Sequence, residues 1–255
     1  MADALDIPLP AGYAQAKPFD RQKHRGLGVA KKATAFAHQL HAIYLTTLEI
    51  PRAGLDYPVA FVRDGADQIV PVALVGVEPK KNLFCDADGQ WANDFYVPAY
   101  VRRYPFFLAR IRNHEDRGLI CVDETALSPT AKALIDSNGE PTAAWTERLQ
   151  LIEQLDIEGK KTGDFCAKLH TLGILETFDA DFHPSMERAN QRAIPPVRIN
   201  GLLRVSRKAL GDLDDTGLCD LVRQGGMQMI EAHLNSLARF DRLLNRYAVA
   251  ATRND

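Results

Sequence analysis

The chain lacks the long apolar runs and the export signal that membrane and secreted proteins carry. Its longest apolar stretch, residues 69–77, is far shorter than the roughly 20 residues that a helix needs to cross a bilayer. Residues 1–8 contain no basic segment followed by an apolar one, so we expect no Sec-type signal peptide. These absences predict a cytoplasmic protein without a membrane span.

Cysteines are few, and none are paired in the sequence. The four cysteines are Cys85, Cys121, Cys166 and Cys219, and they form no CxxC motif. Wide separation of this kind is typical of reduced, packed thiols in the cytoplasm. It also offers no closely spaced ligand pair for zinc. We therefore predict neither a metal ion nor a cofactor.

Charge of one sign is not in excess either. Lys and Arg total 31 against 33 Asp and Glu, for a formal net charge of -2. This balance argues against a protein that coats nucleic acid or an acidic membrane, because such proteins are strongly basic. Hydrophobic residues make up 46% and charged residues 25% of the chain, which predicts a folded globular core.

The familiar catalytic and metal-binding motifs are incomplete. Gly159-Lys160-Lys161-Thr162 ends like a P-loop, but the extra lysine breaks the required spacing. Gly26-Leu27-Gly28 lacks the third glycine of a dinucleotide site. In Asp86-Ala87-Asp88-Gly89 the glycine comes fourth, which favours a β-turn over a calcium loop. His114-Glu115-Asp116 matches a fragment of an iron-binding triad, but its charged surroundings favour an exposed loop.

The strand patterns indicate a sheet in the first half of the chain. Residues 57–63 alternate apolar side chains before a turn, and residues 69–76 follow as the second strand of a hairpin. Pro71 inside this second strand predicts an edge or a bulge, since proline cannot donate to a β-ladder. Two further strands are expected at residues 119–122 and 199–205.

Apolar stripes at helical spacing follow in the second half. The first contains Trp145, Leu149, Ile152 and Leu155; the second contains Phe165, Leu169 and Leu172 after a cap at Thr162; the third contains Ile230, Leu234, Leu237, Leu244 and Tyr247. The third stripe predicts one long helix, which either covers its own core or pairs with a second copy in a homodimer. The order of elements predicts an α+β fold, with an antiparallel or mixed sheet in the N-terminal half packed with helices from the C-terminal half.

The first 32 residues have a composition of their own. They are rich in proline and glycine and carry the basic residues Lys17, Arg21, Lys23, Arg25, Lys31 and Lys32. We expect residues 1–32 to form an extended basic arm, a solvated tail rather than a nucleic-acid arm. Residues 33–255 are expected to form a single domain.

Aromatic, arginine and acidic residues are concentrated in residues 82–110. The candidate ligand- or partner-binding residues are Asn82, Asp86, Asp88, Trp91, Tyr96, Arg102, Arg103 and Tyr104. Tyrosine and tryptophan supply stacking faces with a hydrogen-bonding group, and arginine supplies a fork for carboxylate or phosphate. The alternative is structural: Trp91, Tyr104 and Phe106 anchor a core while the charged residues are solvated.

Several short motifs together form a recognisable pattern. They are Tyr57-Pro58, Asn82-Leu83-Phe84, Asp86-Ala87-Asp88-Gly89-Gln90-Trp91, Tyr96-Val97-Pro98, Arg103-Tyr104-Pro105-Phe106 and His233-Leu234-Asn235-Ser236-Leu237. On these motifs the chain resembles the bacterial SapC family from about residue 40 to residue 247. The resemblance implies an accessory role beside a flavoprotein or a receptor-linked system encoded nearby. It supplies no catalytic residues.

Three functional hypotheses are compatible with the sequence. The first is a non-catalytic cytoplasmic accessory protein, whose aromatic and arginine surface engages a protein partner or a small polar ligand. The second is an enzyme in which Asp86, Asp88 or Asp94 acts as a general base while Arg102 or Arg103 holds an anion. The third is a structural protein associated with a surface layer, which would have to be exported.

Overall fold

A computed structural model describes residues 9–111, 114–182 and 196–253 and shows an α+β fold, as predicted. The chain divides into two compact units. The first comprises Met1–His38, Cys85–Gln90 and Ala99–Ile157, and the second comprises Gln39–Phe84, Trp91–Pro98 and Glu158–Asp255. The predicted arm over residues 1–32 and the single domain over residues 33–255 stay predictions. No helix within the described ranges is both long enough and apolar enough to cross a membrane.

The first unit contains two small antiparallel sheets. One has the order β1 (Lys17–Pro18), β7 (His114–Val122) and β6 (Phe106–Ile111), and the other pairs β2 (Gly28–Val29) with β8 (Leu127–Ser128). Its helical elements are the 3-10 helices Ala33–Gln39 and Glu124–Ala126, the α-helix α2 (Ala99–Arg102) and the first part of α3 (Ala143–Thr171).

These sheets explain the glycine at position 28 and correct the prediction for residues 114–116. A Cβ atom at Gly28 would lie 2.1 Å from the carbonyl oxygen of Lys132, so this glycine permits close backbone packing. The expected loop at residues 114–116 is wrong, because Ile111 pairs with His114 and the backbone continues as β7. The side chains of residues 114–116 lie outside the described part of the structure.

The core of the first unit forms around α3 and the β6–β7 pair. Its buried members are Phe106, Val122, Leu134, Ile135, Trp145 and Ile152. Phe19, from the basic N-terminal segment, stacks on Trp145 with 4.1 Å between ring centroids. The burial of Trp145 and Ile152 confirms the first predicted helical stripe.

The second unit is built on a five-stranded antiparallel sheet. Its strand order is β3 (Ala42–Tyr44), β5 (Ile69–Leu74), β4 (Val59–Arg63), β10 (Val197–Val205) and β9 (Leu175–Phe182). Its other elements are the 3-10 helices Thr47–Glu49 and Leu237–Arg239, with α1 (Ile50–Ala53), the rest of α3, α4 (Arg207–Gly211), α5 (Asp215–Arg223), α6 (Gly226–Ser236) and α7 (Phe240–Arg253).

The predicted hairpin is confirmed, since β4 pairs with β5 from Val59 opposite Ala73 to Arg63 opposite Ile69. The strand predicted at residues 199–205 is β10, so the sheet also draws on the second half of the chain. Strand β9 extends as far as Phe182. Residues 183–195 lie outside the described part of the structure.

The edge or bulge expected at Pro71 is wrong, because β5 lies between β3 and β4 and pairs regularly with β4. The carbonyl oxygen of Pro71 accepts the Leu45 N–H at 3.0 Å. This bond lies just beyond the last residue of β3, which ends at Tyr44. The missing N–H of the proline therefore interrupts no pairing along β3 itself.

The helix break expected at Thr162 is also wrong, because α3 runs without interruption from Ala143 to Thr171. The Thr162 hydroxyl donates to the carbonyl oxygen of Glu158 at 2.7 Å and accepts the N–H of Thr47 at 2.9 Å. A polar residue that would otherwise favour a cap is thereby satisfied inside the helix. The helix ends at Thr171, and Gly173 just beyond it has a φ of +65°, a left-handed conformation typical of helix ends.

The single long C-terminal helix is replaced by α6 and α7, separated by the 3-10 turn Leu237–Arg239. Ser236 explains the break. Its hydroxyl donates to the carbonyl oxygen of His233 at 2.6 Å and accepts the Val59 N–H at 2.9 Å. Hydrogen bonds from a serine to its own helix backbone bend helices, and the adjoining turn tightens to 3-10 geometry.

His233 joins the two halves of the five-stranded sheet. Strands β4 and β10 have one register pair, Leu203 with Phe61, among the described residues. The imidazole is fully buried; its Nδ1 lies 2.9 Å from the Val59 carbonyl oxygen, and its Nε2 accepts the Val205 N–H at 3.1 Å. Because Nε2 accepts, the proton of the neutral ring resides on Nδ1.

The core of the second unit fills the space between this sheet and its helices. The sheet contributes Phe61, Ile69 and Val205, the helices contribute Cys166, Leu169, Leu221, Ile230 and Leu234, and Ile174 completes the set. Helices α3, α5 and α6 therefore pack on the sheet, as expected for an α+β fold.

Protonation of His233 should oppose folding. Burial lowers the pKa of His233 from 6.5 to about 4, and the positive charge of Arg204 adds to the shift. The unfolded chain therefore binds this proton at a higher pH than the folded chain does. Stability should fall as the pH drops from about 6.5 towards about 4, by up to about 3 kcal/mol from this group.

The measurement is urea unfolding of the wild type and of His233→Gln between about pH 7 and about pH 5. The free energy of unfolding should fall more steeply for the wild type than for the variant. His170→Gln, which removes an exposed histidine of the same unit, should retain the wild-type slope. If the free energy of unfolding depends on pH equally in the wild type and in His233→Gln, protonation of the buried imidazole does not oppose folding.

Candidate functional site

The predicted binding residues fall in both units. The first unit contains Asp86, Asp88, Arg102, Arg103 and Tyr104, and the second contains Asn82, Trp91 and Tyr96.

Asp86 shapes a turn in the first unit. Its Oδ1 accepts the N–H groups of Asp88 at 3.0 Å and of Gln90 at 2.8 Å, and Gly89 adopts a φ of +81°. The predicted β-turn is confirmed. The same pair of bonds forms at a second turn, which begins at Asp136. The recurrence indicates that the Asp86 carboxylate serves its own turn.

Asp88 and Arg102 lie at the surface of the first unit. Asp88 is exposed and pairs with Lys32, an exposed ion pair of the kind that contributes little to stability. Arg102 is exposed at the end of α2. Both side chains are therefore accessible to solvent.

Arg103 and Tyr104 belong to an aromatic cluster of the first unit. The Arg103 guanidinium lies 4.5 Å from the ring centroid of Tyr100, and its Nε is buried with no acceptor among the described residues. The Tyr104 hydroxyl donates to Asp123 at 3.2 Å. Burial, with the charge of Asp123 added, raises the pKa of Tyr104 to about 12. Tyr104 is thus a buried, neutral member of the cluster, as the structural alternative expected.

Trp91 and Tyr96 meet at Tyr57 in the second unit. The Trp91 Nε1–H donates to the Tyr57 hydroxyl at 2.9 Å, and that hydroxyl donates to the Tyr96 carbonyl oxygen at 2.6 Å. Asn82 is buried, and its Oδ1 accepts the Phe84 N–H at 2.8 Å. The Tyr57 ring contacts Phe84 edge to face, with 4.9 Å between centroids. Phe95 also lies near the Tyr57 ring, with 6.3 Å between centroids. We call Tyr57, Phe84, Trp91 and Phe95 the aromatic framework.

A cationic groove that the sequence prediction missed lies along α7. It is a cavity of about 760 Å³ lined by Leu83, Ala238, Arg239, Asp241, Arg242, Asn245, Arg246, Val249 and Ala250. We call it the arginine groove. All of its lining residues belong to the second unit.

Aromatic rings of the framework support two of these arginines. The Arg246 guanidinium lies 4.4 Å from the ring centroid of Phe84 and 5.2 Å from that of Phe95. Arg242 lies 5.5 Å from the same Phe95 ring. Stacking of this kind covers the faces of the guanidinium groups and leaves their N–H edges for hydrogen bonds.

The three arginines differ in their partners. Arg242 lies 3.6 Å from the Asp56 carboxylate and donates to backbone carbonyl oxygens. Arg246 donates through Nε to the Leu83 carbonyl oxygen at 2.9 Å, and its terminal nitrogens have no acceptor within the described residues. Arg239 has a buried Nε, again without an acceptor in the described ranges. Donors that a bound anion would satisfy are therefore present at Arg239 and Arg246.

The groove arginines also affect one another. Burial lowers the pKa of Arg246, and the nearby positive charge of Arg242 adds to this shift. Two like charges held near the same Phe95 ring repel each other. An anion in the groove would offset that repulsion.

The thiols do not add a second site. All four cysteines are free; Cys219 is exposed, and the others are buried. Cys166 borders a second cavity of about 630 Å³, but burial raises the pKa of its thiol to about 12. The nucleophilic thiolate is therefore scarce near neutral pH.

Among the described residues, no three His, Cys, Asp or Glu side chains are grouped so as to hold a metal ion.

Sequence reasoning missed the groove because its parts are distant in the chain. Arg239, Arg242 and Arg246 follow one another at spacings of three and four residues, which places them on one side of a helix. That spacing is the local sequence feature that could have indicated a cationic surface. Their aromatic supports, Phe84 and Phe95, are far away in sequence, and only the tertiary fold brings them together.

Comparison with known proteins gives one result. A family model described as SapC matches residues 19–243, which confirms the resemblance noted from the motifs. No curated protein and no solved structure matches the chain. Arg239 and Arg242 fall inside the matched range, and Arg246 lies just beyond it.

The framework around Tyr57 yields a stability prediction. Tyr57→Phe would leave the Trp91 Nε1–H and the Tyr96 carbonyl oxygen without the shared hydroxyl, at a cost of about 1–3 kcal/mol. Urea unfolding measures this loss. The matched control, Tyr247→Phe, removes a hydroxyl whose partner Glu78 is 40% exposed and should cost less. Equal stability of Tyr57→Phe and the wild type would exclude a structural role for the hydroxyl.

Proposed function

The chain belongs to the SapC family, and on this premise we propose that it is a non-catalytic accessory protein that binds an anionic group of a protein partner or of a small polar ligand. The observation that supports this proposal is the set of guanidinium donors in the arginine groove. Arg239 and Arg246 both line the groove, and the buried Arg239 Nε–H has no acceptor among the described residues. Guanidinium forks of this kind match carboxylate and phosphate oxygens.

The aromatic framework supports this function by holding the arginines in place. Phe84 and Phe95 stack beneath the guanidinium groups on one side and contact Tyr57 on the other. The Tyr57 hydroxyl in turn accepts a hydrogen bond from the Trp91 Nε1–H. We therefore assign the predicted residues Trp91, Tyr96 and Asn82 to positioning. Preorganised arginines bind more tightly, since they lose less conformational entropy when an anion binds.

The exposed residues of the first unit enter the proposal separately. Asp88 and Arg102 remain proposed contacts for a partner protein, because both are exposed. The family resemblance favours a flavoprotein or a receptor-linked system as that partner. We place the role in the cytoplasm, which the four free cysteines support.

The groove should bind small anions through its arginines. Calorimetric titration with citrate at constant ionic strength should give binding that weakens about tenfold or more in Arg239→Gln and in Arg246→Gln, because a charge-assisted hydrogen bond contributes about 1.5–3 kcal/mol. Arg223→Gln removes the same charge from an exposed site on α5 and serves as the matched control.

The control separates specific binding from general electrostatics. Arg223→Gln should bind citrate as the wild type does. If neither groove variant weakens binding, or if Arg223→Gln weakens it equally, the arginine groove is not the binding site and the proposed function fails.

A further inference from the structure

The arginine groove has both charged and apolar lining residues. Its arginines line it together with Leu83, Ala238, Val249 and Ala250. Val249 is 50% exposed. An inorganic anion would pair with the arginines and leave the apolar surface in water. A ligand that fits the whole groove therefore has an apolar part as well as a charged one.

The charge of the lining indicates how many negative charges the ligand carries. Among the described lining residues, three arginines and Asp241 give a net charge of +2. A single carboxylate would neutralise half of this charge. A phosphate monoester carries about two negative charges near neutral pH and has three terminal oxygens, so it matches the lining better.

The number of donors favours phosphate for a second reason. The guanidinium carbons of Arg242 and Arg246 lie within 5.5 Å of the Phe84 or Phe95 ring centroids, and contacts of this kind leave guanidinium N–H groups available for hydrogen bonds. A group with several acceptor oxygens can accept from Arg239 and Arg246 at once, whereas a carboxylate offers two oxygens in one plane.

The size of the groove leaves room for the apolar part. Its volume of about 760 Å³ falls within the roughly 300–1,000 Å³ of small-molecule sites. A phosphate group alone fills a small share of that space. Leu83 and Val249 also line this cavity.

We propose that the arginine groove binds a phosphate monoester with an apolar or aromatic body. The phosphate accepts hydrogen bonds from Arg239 and Arg246, and the body lies against Leu83 and Val249. This assignment rests on the proposed function, because it names the ligand class of the same groove. It goes further by requiring both the double charge and the apolar body.

The test is calorimetric titration of the full chain with phenyl phosphate, inorganic phosphate and benzoate at constant ionic strength. Phenyl phosphate combines the double charge with a ring, whereas each of the other probes lacks one of these features. Phenyl phosphate should bind about tenfold or more tightly than either.

Two variants separate the contributions of the arginines and of the apolar lining. Arg246→Gln should weaken the binding of phenyl phosphate and of inorganic phosphate alike, by about tenfold or more. Val249→Ser should bring the affinities of these two probes closer together, because it removes part of the apolar lining. Arg223→Gln, which lies outside the groove, should leave every affinity unchanged.

The outcomes separate this inference from the proposed function. Equal binding of phenyl phosphate and inorganic phosphate, with both lost in Arg246→Gln, would overturn the ligand class while the anion-binding function stands. Benzoate binding as tightly as phenyl phosphate would overturn the double-charge requirement. If none of these probes binds at millimolar concentration while citrate does, the ligand class is wrong and the anion-binding function stands; if citrate does not bind either, both proposals are wrong.

Discussion

The second unit depends on one buried imidazole. His233 bonds to the Val59 carbonyl oxygen of β4 and to the Val205 N–H of β10, two strands that share a single described register pair. Ser236, one turn later on α6, accepts the Val59 N–H, so both backbone groups of Val59 are bonded to this helix. The His-Leu-Asn-Ser motif that marks the family resemblance therefore has a structural explanation: it attaches α6 to the sheet and holds the two halves of the sheet together.

The position of the arginine groove follows from that attachment. Since α6 is fixed by His233 and Ser236, the 3-10 turn after it determines where α7 begins. The buried residues Leu243 and Tyr247 fix the inner side of α7, and its arginines then lie on Phe84 and Phe95. Residues from the aromatic-rich segment thus support cations that come from the C-terminal helix. The recognition surface that we propose therefore uses arginines other than those that the sequence indicated.

Local patterns predicted the features that local physics determines. The alternation before Arg63 identified a hairpin, and the Asp86 turn was read correctly because an aspartate side chain can satisfy its own turn. Prediction failed where distant contacts override local preference. Thr162 does not cap a helix, since Thr47 and the preceding turn of α3 satisfy its hydroxyl. The groove was missed for the same reason, because nothing near Arg246 in sequence indicates that Phe84 lies beneath it.

In the proposed function, Arg239 and Arg246 supply the donors for a bound anion. The most direct measurement is nitrogen-15 NMR of the arginine Nε–H groups during titration with phenyl phosphate. We predict that the signals of Arg239 and Arg246 shift with a common saturation curve while that of Arg223 stays in place. Shifts confined to Arg102 and Arg103, the arginines of the sequence-predicted surface, would contradict the account and place anion binding in the first unit.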